Sequence, residues 1–177
     1  MDMNNAQVTQ ASEKEPQSPQ EELGYHEAFG IMLWLCSQAD YHKTWPLWAV
    51  DNDLVPPLIH RQFRIYFDEQ QNPVGCATWA WLSEEKKNDM ITGGSLEFDD
   101  WASGDHLMFG DYIAPWGHAK SILSDLRTHV FPKEIAFSLG RNADGTVRKL
   151  YHWKGKESKK KILANSEAEK EVSASGW

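Results

Sequence analysis

Cysteine is nearly absent from this chain of 177 residues, which contains only Cys36 and Cys76. Two thiols cannot build the disulfide framework of a small secreted domain, and their spacing is not that of a metal site. No H-x-x-x-H or C-x-x-C pattern occurs, so no bound metal is expected. Long apolar runs are missing too: the longest, Ile31 to Cys36, is far too short to cross a bilayer. The first residues lack the basic-then-apolar pattern of a secretory signal, so a cytoplasmic protein without a membrane span is expected. Neither G-x-S-x-G nor a phosphate-cradling glycine loop is found.

Aromatic side chains, by contrast, are plentiful. Nine Trp, seven Phe and five Tyr supply large rigid pieces for a hydrophobic core. Residues 1–23 hold almost no such groups and are rich in Gln, Ser, Glu and Pro, the composition of a disordered extension. One domain is expected over 24–157, followed by a flexible tail over 158–177.

The formal charge of −8 hides an asymmetry. Residues 24–138 carry sixteen acidic and eight basic side chains, a net of −8. Residues 139–161 carry eight basic and two acidic ones, a net of +6. An acidic body with a basic C-terminal segment fits either an ordinary solvated face or one acidic partner met in one place. The basic segment is short and the acidic body repels phosphates, which argues against nucleic acid.

Apolar spacing predicts a helix over 25–39 with Phe29, Met32, Leu33 and Cys36 on its buried face. The two prolines of DNDLVPPLI (51–59) argue against regular helix there. Phe63, Ile65 and Phe67 alternate with Arg64 and Tyr66, turn at Gln71-Asn72-Pro73 and return over Val74–Leu82 as a hairpin. Ser83 caps a short helix with Lys86 at its third position, and a Gly93-Gly94 loop follows. Residues 106–114 read as a strand with Leu107, Phe109, Asp111 and Ile113 on one face. His118 to Val130 forms a helix with Ile122, Leu123 and Leu126 inward. A second hairpin turns at Asp144-Gly145. With hairpins instead of repeated strand–helix–strand units, the fold class is α+β with a mainly antiparallel or mixed sheet flanked by helices.

Two residues attract chemical interest. Asp111 projects from an apolar strand face, where an unpaired carboxylate costs several kcal/mol, so a histidine or a backbone donor should pair with it. That pair serves either catalysis or core geometry. His42 stands in ADYHKTWPLW between a packed helix and a Trp-Pro step that stops any helix. It is either a boundary histidine or a general base presented with little freedom. Cys76, inside a hairpin strand, reads as a packed and unreactive thiol.

Three segments together resemble the toxin-activating lysine acyltransferases, which fatty-acylate RTX protoxins. HKTWPL (42–47) is similar to the family's His-x-x-Trp-Pro segment, NPVGCATWAWLSEE (72–85) to its Trp-bearing strand, and DWASGDHLMFGDYIAPWG (100–117) to its D-W-x-S-G-D and D-x-I-A-P-x-G motifs. The match runs more weakly to about Gly155. The resemblance implies a fold like the GCN5-related N-acyltransferases and transfer of an acyl chain from acyl carrier protein to internal lysines of an RTX protoxin. It places the catalytic histidine at His42 and the catalytic aspartate at Asp111. A family asparagine falls at Asp53, beside Asn52, and this departure leaves substrate positioning there open. No cofactor is bound in this scheme, because the carrier protein is a co-substrate. Its docking patch is expected on the basic segment, with Arg141, Arg148 and Lys149 foremost. A homodimer is in keeping with the resemblance, although no interface is legible. Two other readings stand beside it: an acetyl-coenzyme A N-acetyltransferase, which the glycine-poor loop IAPWGHAKS (113–121) disfavours, and a non-catalytic chaperone for a secreted partner.

Overall fold

The computed structural model describes residues 23–142 and 146–159. The expected disordered extension, the Asp144-Gly145 turn and nearly all of the expected tail lie outside these residues. The chain begins with helix α1 (Tyr25–Gln38), a 3₁₀ turn (His42–Thr44) and helix α2 (Leu47–Ile59). Strands β1 (Phe63–Phe67) and β2 (Pro73–Leu82) follow, then helix α3 (Glu84–Ile91) and a 3₁₀ turn at Phe98–Trp101. Strand β3 (His106–Ile113) leads to helix α4 (Ala119–Asp125), which widens into a π turn at Leu126–Val130. Strands β4 (Ile135–Arg141) and β5 (Val147–Lys154) complete the domain.

The five strands form one mixed sheet in the order β1-β2-β3-β4-β5. Every neighbouring pair is antiparallel except β3 and β4, which run parallel. This is the expected α+β class with a mixed sheet, consistent with a GCN5-related acyltransferase architecture. Parallel pairing is confined to Leu107 with Ala136 and Met108 with Phe137. Beyond those pairs β3 and β4 share no ladder, and the end of the sheet that carries Asp111 is open between them.

The first hairpin forms where alternation predicts it, and the strands of the second pair antiparallel as expected. Asp68 fixes the first by accepting the amides of Gln70 and Asn72 at 2.9 and 2.8 Å. The Ser83 hydroxyl accepts the Lys86 amide at 3.1 Å and caps α3, as its position predicts. Helices α1 and α2 pack on one face of the sheet through Met32, Leu35, Leu54, Leu58, Cys76 and Ile113. Helix α4 packs on the other, where Ile122 and Leu126 meet Trp79, Leu107 and Phe109. Leu123 is half-buried on the same side, so the inward face of this helix is the expected one.

Three expectations need correction. First, the helix does pass through DNDLVPPLI: α2 continues to Ile59 with Pro56 and Pro57 inside it. Both prolines lie in the last turn, where each removes one amide donor but the helix has only two residues left to run. Leu54, Pro56, Pro57 and Leu58 are all buried, so packing overrides propensity. The His60 amide rejoins the pattern by donating to the Pro56 carbonyl at 2.9 Å. Second, the buried stripe of α1 is Ala28, Met32, Leu35 and Cys36. Leu33 faces outward, because a helix apolar on most sides admits more than one inward register.

Third, Leu107, Phe109, Asp111 and Ile113 do not share a face. Trp79 pairs with Phe109 and Ala77 with Tyr112, so two steps along β2 span three along β3. The extra residue makes a bulge at Gly110–Asp111, opposite Thr78, and a bulge inverts the alternation beyond it. Leu107 and Phe109 therefore point to α4, while Ile113 packs against α1 and α2.

Candidate active site

The bulge re-aims Asp111. Without it, Asp111 would follow Phe109 into the apolar layer under α4. With it, the carboxylate turns to the α1–α2 side. Two local features hold this geometry. The Asp111 amide donates to the Thr78 hydroxyl at 3.0 Å, which satisfies a group that the bulge removes from the ladder. Gly110 leaves room for that hydroxyl, since a Cβ at this position would stand 2.6 Å from Thr78 Oγ1.

His42 comes from the other direction. The Lys43 amide donates to the Ala39 carbonyl at 2.9 Å and the Trp45 amide to the His42 carbonyl at 3.0 Å, closing a tight turn between the helices. Pro46 then starts α2 afresh. The short connection leaves the imidazole little freedom and buries it to 8% exposure. The rings of Trp45 and Tyr41 flank it at centroid distances of 4.6 and 5.1 Å.

The two residues meet across the interior. His42 Nε2 lies 3.2 Å from Asp111 Oδ1, so the carboxylate has the histidine partner that its position demands. An ionised carboxylate only accepts, so the shared proton sits on Nε2 and the lone pair falls to Nδ1. Nδ1 is buried and has no hydrogen-bond partner. An imidazole with one nitrogen anchored and the other unpartnered has the free lone pair that a general base requires.

Asp53 belongs to the same constellation. Burial raises its pKa from the usual carboxylate value to about 6, and the charge of Asp111 pushes the same way. Arg141 and His42 oppose the rise. Arg141, grouped by the sequence with the basic patch, therefore stands close enough to act on the site. Arg148 and Lys149 do not join it and are exposed on β5, with the Lys149 ammonium 5.0 Å from the Tyr151 ring centre. Asn52 faces outward beside Asp53. Burial pushes the Cys36 thiol up to about 12, with the Asp111 charge adding to the effect. Cys76 is raised in the same manner. Both thiols are buried and protonated, so neither is a nucleophile at neutral pH.

Sequence reasoning missed the Tyr41 and Trp45 rings around the imidazole, the Thr78 contact and the approach of Arg141. A signal existed for the bulge: Gly110 interrupts a strand pattern, which commonly marks one. Among the described residues, no group of three or more His, Cys, Asp or Glu side chains is arranged to hold a metal ion, and no helix is long and apolar enough to cross a membrane.

Comparison with known proteins gives this geometry its chemical context. The sequence is 28% identical over 139 residues to the RTX-I toxin-activating lysine-acyltransferase of Actinobacillus pleuropneumoniae, covering 78% of this chain and 80% of that protein. It is 29% identical over 99 residues to a protein-lysine myristoyltransferase of Kingella kingae, covering 55% and 59%. An uncharacterised protein of Synechocystis is 30% identical over 118 residues, covering 66% of this chain and 80% of its own length. The profile of the RTX toxin acyltransferase family matches residues 21–166, and the chain is a member of that family and an acyltransferase.

Proposed function

We propose that this acyltransferase moves a fatty acyl chain from acyl carrier protein to the ε-amino group of internal lysines in an RTX protoxin, with His42 as general base and Asp111 as its orienting carboxylate. The observation that carries this reading is the His42–Asp111 pair, anchored through Nε2 and unpartnered at a buried Nδ1. The names of the relatives from Actinobacillus and Kingella support lysine as the acceptor.

The chemistry follows from the acceptor. A lysine ammonium, with a reference pKa of about 10.4, is no nucleophile until something removes a proton. Nδ1 of His42 takes that proton, a contribution typically of about a hundred- to ten-thousandfold. Asp111 holds the tautomer and stabilises the imidazolium that results. Asp53, ionised above about pH 6, adds a second carboxylate to draw in the ammonium. The amine attacks the thioester carbonyl, the C–N bond forms as the C–S bond breaks, and the carrier's thiol leaves with a proton. The opening between β3 and β4 past Met108 and Phe137 suits an extended acyl arm. Backbone amides on that unpaired edge of β3 can receive the developing oxyanion. With both cysteines buried and protonated, direct attack in a ternary complex is favoured over an acyl-enzyme. The acidic carrier docks on the basic hairpin through Arg148 and Lys149, with Arg141 nearer the chemistry.

Intact-mass spectrometry of a co-expressed RTX protoxin fragment tests the reading. Fatty-acyl mass on lysine is expected with the wild-type enzyme and is lost with His42→Ala and Asp111→Ala. Modification that survives both substitutions discards the site but keeps the reaction. No added mass, with a charged carrier protein present, favours a chaperone role.

A further inference from the structure

We propose that Trp34, Tyr41, Leu47, Trp48 and Trp116 form the docking surface for the acceptor polypeptide, a lysine-bearing segment with apolar neighbours and little acidic charge. This inference rests on the acyl-transfer reading above and adds where the acceptor binds. Scattered exposed apolar residues are ordinary, but a group of them around a reactive centre is not. Leu47 is 82% exposed and Trp48 68%, and both open α2 directly after the Trp45-Pro46 step that follows His42. Tyr41 is exposed and lies edge-on to both His42 and Trp45. Trp34 at the end of α1 meets Trp116 just beyond β3, with ring centres 5.5 Å apart, and both are exposed. These side chains therefore gather at the end of the domain where His42 and Asp111 meet.

Charge selects the occupant. Glu27, Asp40, Asp51, Asp53 and Asp111 on and around this face outnumber Lys43, Lys120 and Arg141, and Lys43 is held 2.6 Å from Asp40. An acidic carrier protein or an anionic membrane is repelled from this face, while the basic hairpin suits the carrier. A second copy using the same patch would set acid against acid, because a two-fold contact pairs a surface with itself. A lysine-bearing segment has the matching chemistry: its aliphatic stems lie along aromatic rings and its ammonium groups meet ring faces and carboxylates.

The test separates docking from catalysis. A fragment of an RTX protoxin spanning an acceptor lysine is titrated by calorimetry into the His42→Ala enzyme, which still presents the surface. Binding is expected, and adding Leu47→Ser with Trp48→Ala should weaken it about tenfold or more. Asp51→Lys, a single exposed change, should weaken it about threefold and lessen its salt dependence. In the enzyme with His42 intact, the double variant should raise KM for the fragment about tenfold, with kcat and the KM for acyl carrier protein within about twofold. Unchanged affinity, absence of binding by the parent, or a rise confined to the carrier's KM would overturn the proposal. A wild-type dimer that the double variant turns into a monomer would also overturn it, assigning the face to a second copy. Loss of acyl transfer by the wild type, with fragment binding intact, would instead count against the catalytic reading alone.

Discussion

Two of the histidine–aspartate pairs among the described residues lie on opposite faces of the sheet, and they differ in everything except composition. His129 Nδ1 lies 2.9 Å from Asp125 Oδ1, closer than the 3.2 Å between His42 and Asp111. Yet the shorter pair is the ordinary one. His129 is 70% exposed and bonds the residue four positions before it, a contact that one helical segment makes by itself. Asp125 also accepts the Tyr66 hydroxyl at 3.0 Å and stands 3.1 Å from Arg64 Nε, so its charge is already engaged. His42 is buried, reaches a partner 69 positions away and keeps an unpartnered nitrogen. On the proposed reading, burial, a free lone pair and an acidic neighbourhood mark the reactive pair, and hydrogen-bond length does not.

The largest effects should come from breaking the buried pair. His42→Ala should cost about a thousandfold in the rate of acyl transfer, whereas His129→Ala should leave the rate within about twofold. Equal losses in single-turnover assays would erase the distinction between the pairs. Asp111→Asn should cost about a hundredfold while melting near the wild-type temperature, since the amide keeps the shape but no longer fixes the tautomer. Full activity in that variant would reduce Asp111 to a structural partner.

Smaller effects test what shapes the buried pair. Gly110→Ala sets a methyl group against the Thr78 hydroxyl and should cost about 1–3 kcal/mol in denaturant melts, together with a loss of activity. Stability and activity both unchanged would mean that the bulge does not set the carboxylate. Asp53→Asn should act in the opposite sense on stability. The folded pKa near 6 lies above the ordinary value near 4, so the folded protein holds this proton more tightly and its stability falls as pH rises through that window. Removing the charge should stabilise by on the order of 1–2 kcal/mol at pH 7.5, with the two proteins converging below about pH 4. Melting curves that stay parallel across that range would place Asp53 outside the cluster. The exposed pair gives the smallest expected effect, with His129→Ala shifting stability by about 0.5 kcal/mol or less.

The parts of this fold that were legible in the sequence are those that neighbouring residues settle among themselves. Alternation marked the first hairpin and an Asp-Gly dipeptide the second, Ser83 announced its cap, and Asp111 called for a partner even though alternation sets it on the wrong face. What failed had a common cause. The prolines of α2 read as breakers in the sequence, but packing of Leu54 and Leu58 carries the helix through them, and the apolar girth of α1 leaves its inward face undecided. Alternation along β3 runs unbroken through Gly110 in the sequence, whereas the bulge turns it over there. Arg141 looked like one more charge in a basic run, because only the sheet order brings the end of β4 toward Asp53.

The sequence by itself determined His42 and Asp111 as candidate site residues, the acidic body, the basic hairpin and the motifs that carry the family resemblance, since composition and short spacings survive in one dimension. The tertiary structure decided that His42 and Asp111 meet on the α1–α2 side, which nitrogen is left unpartnered and which aromatic rings stand at the rim. Those outcomes depend on one extra residue in a strand ladder and on contacts between distant segments, and neither is set until the sheet has formed.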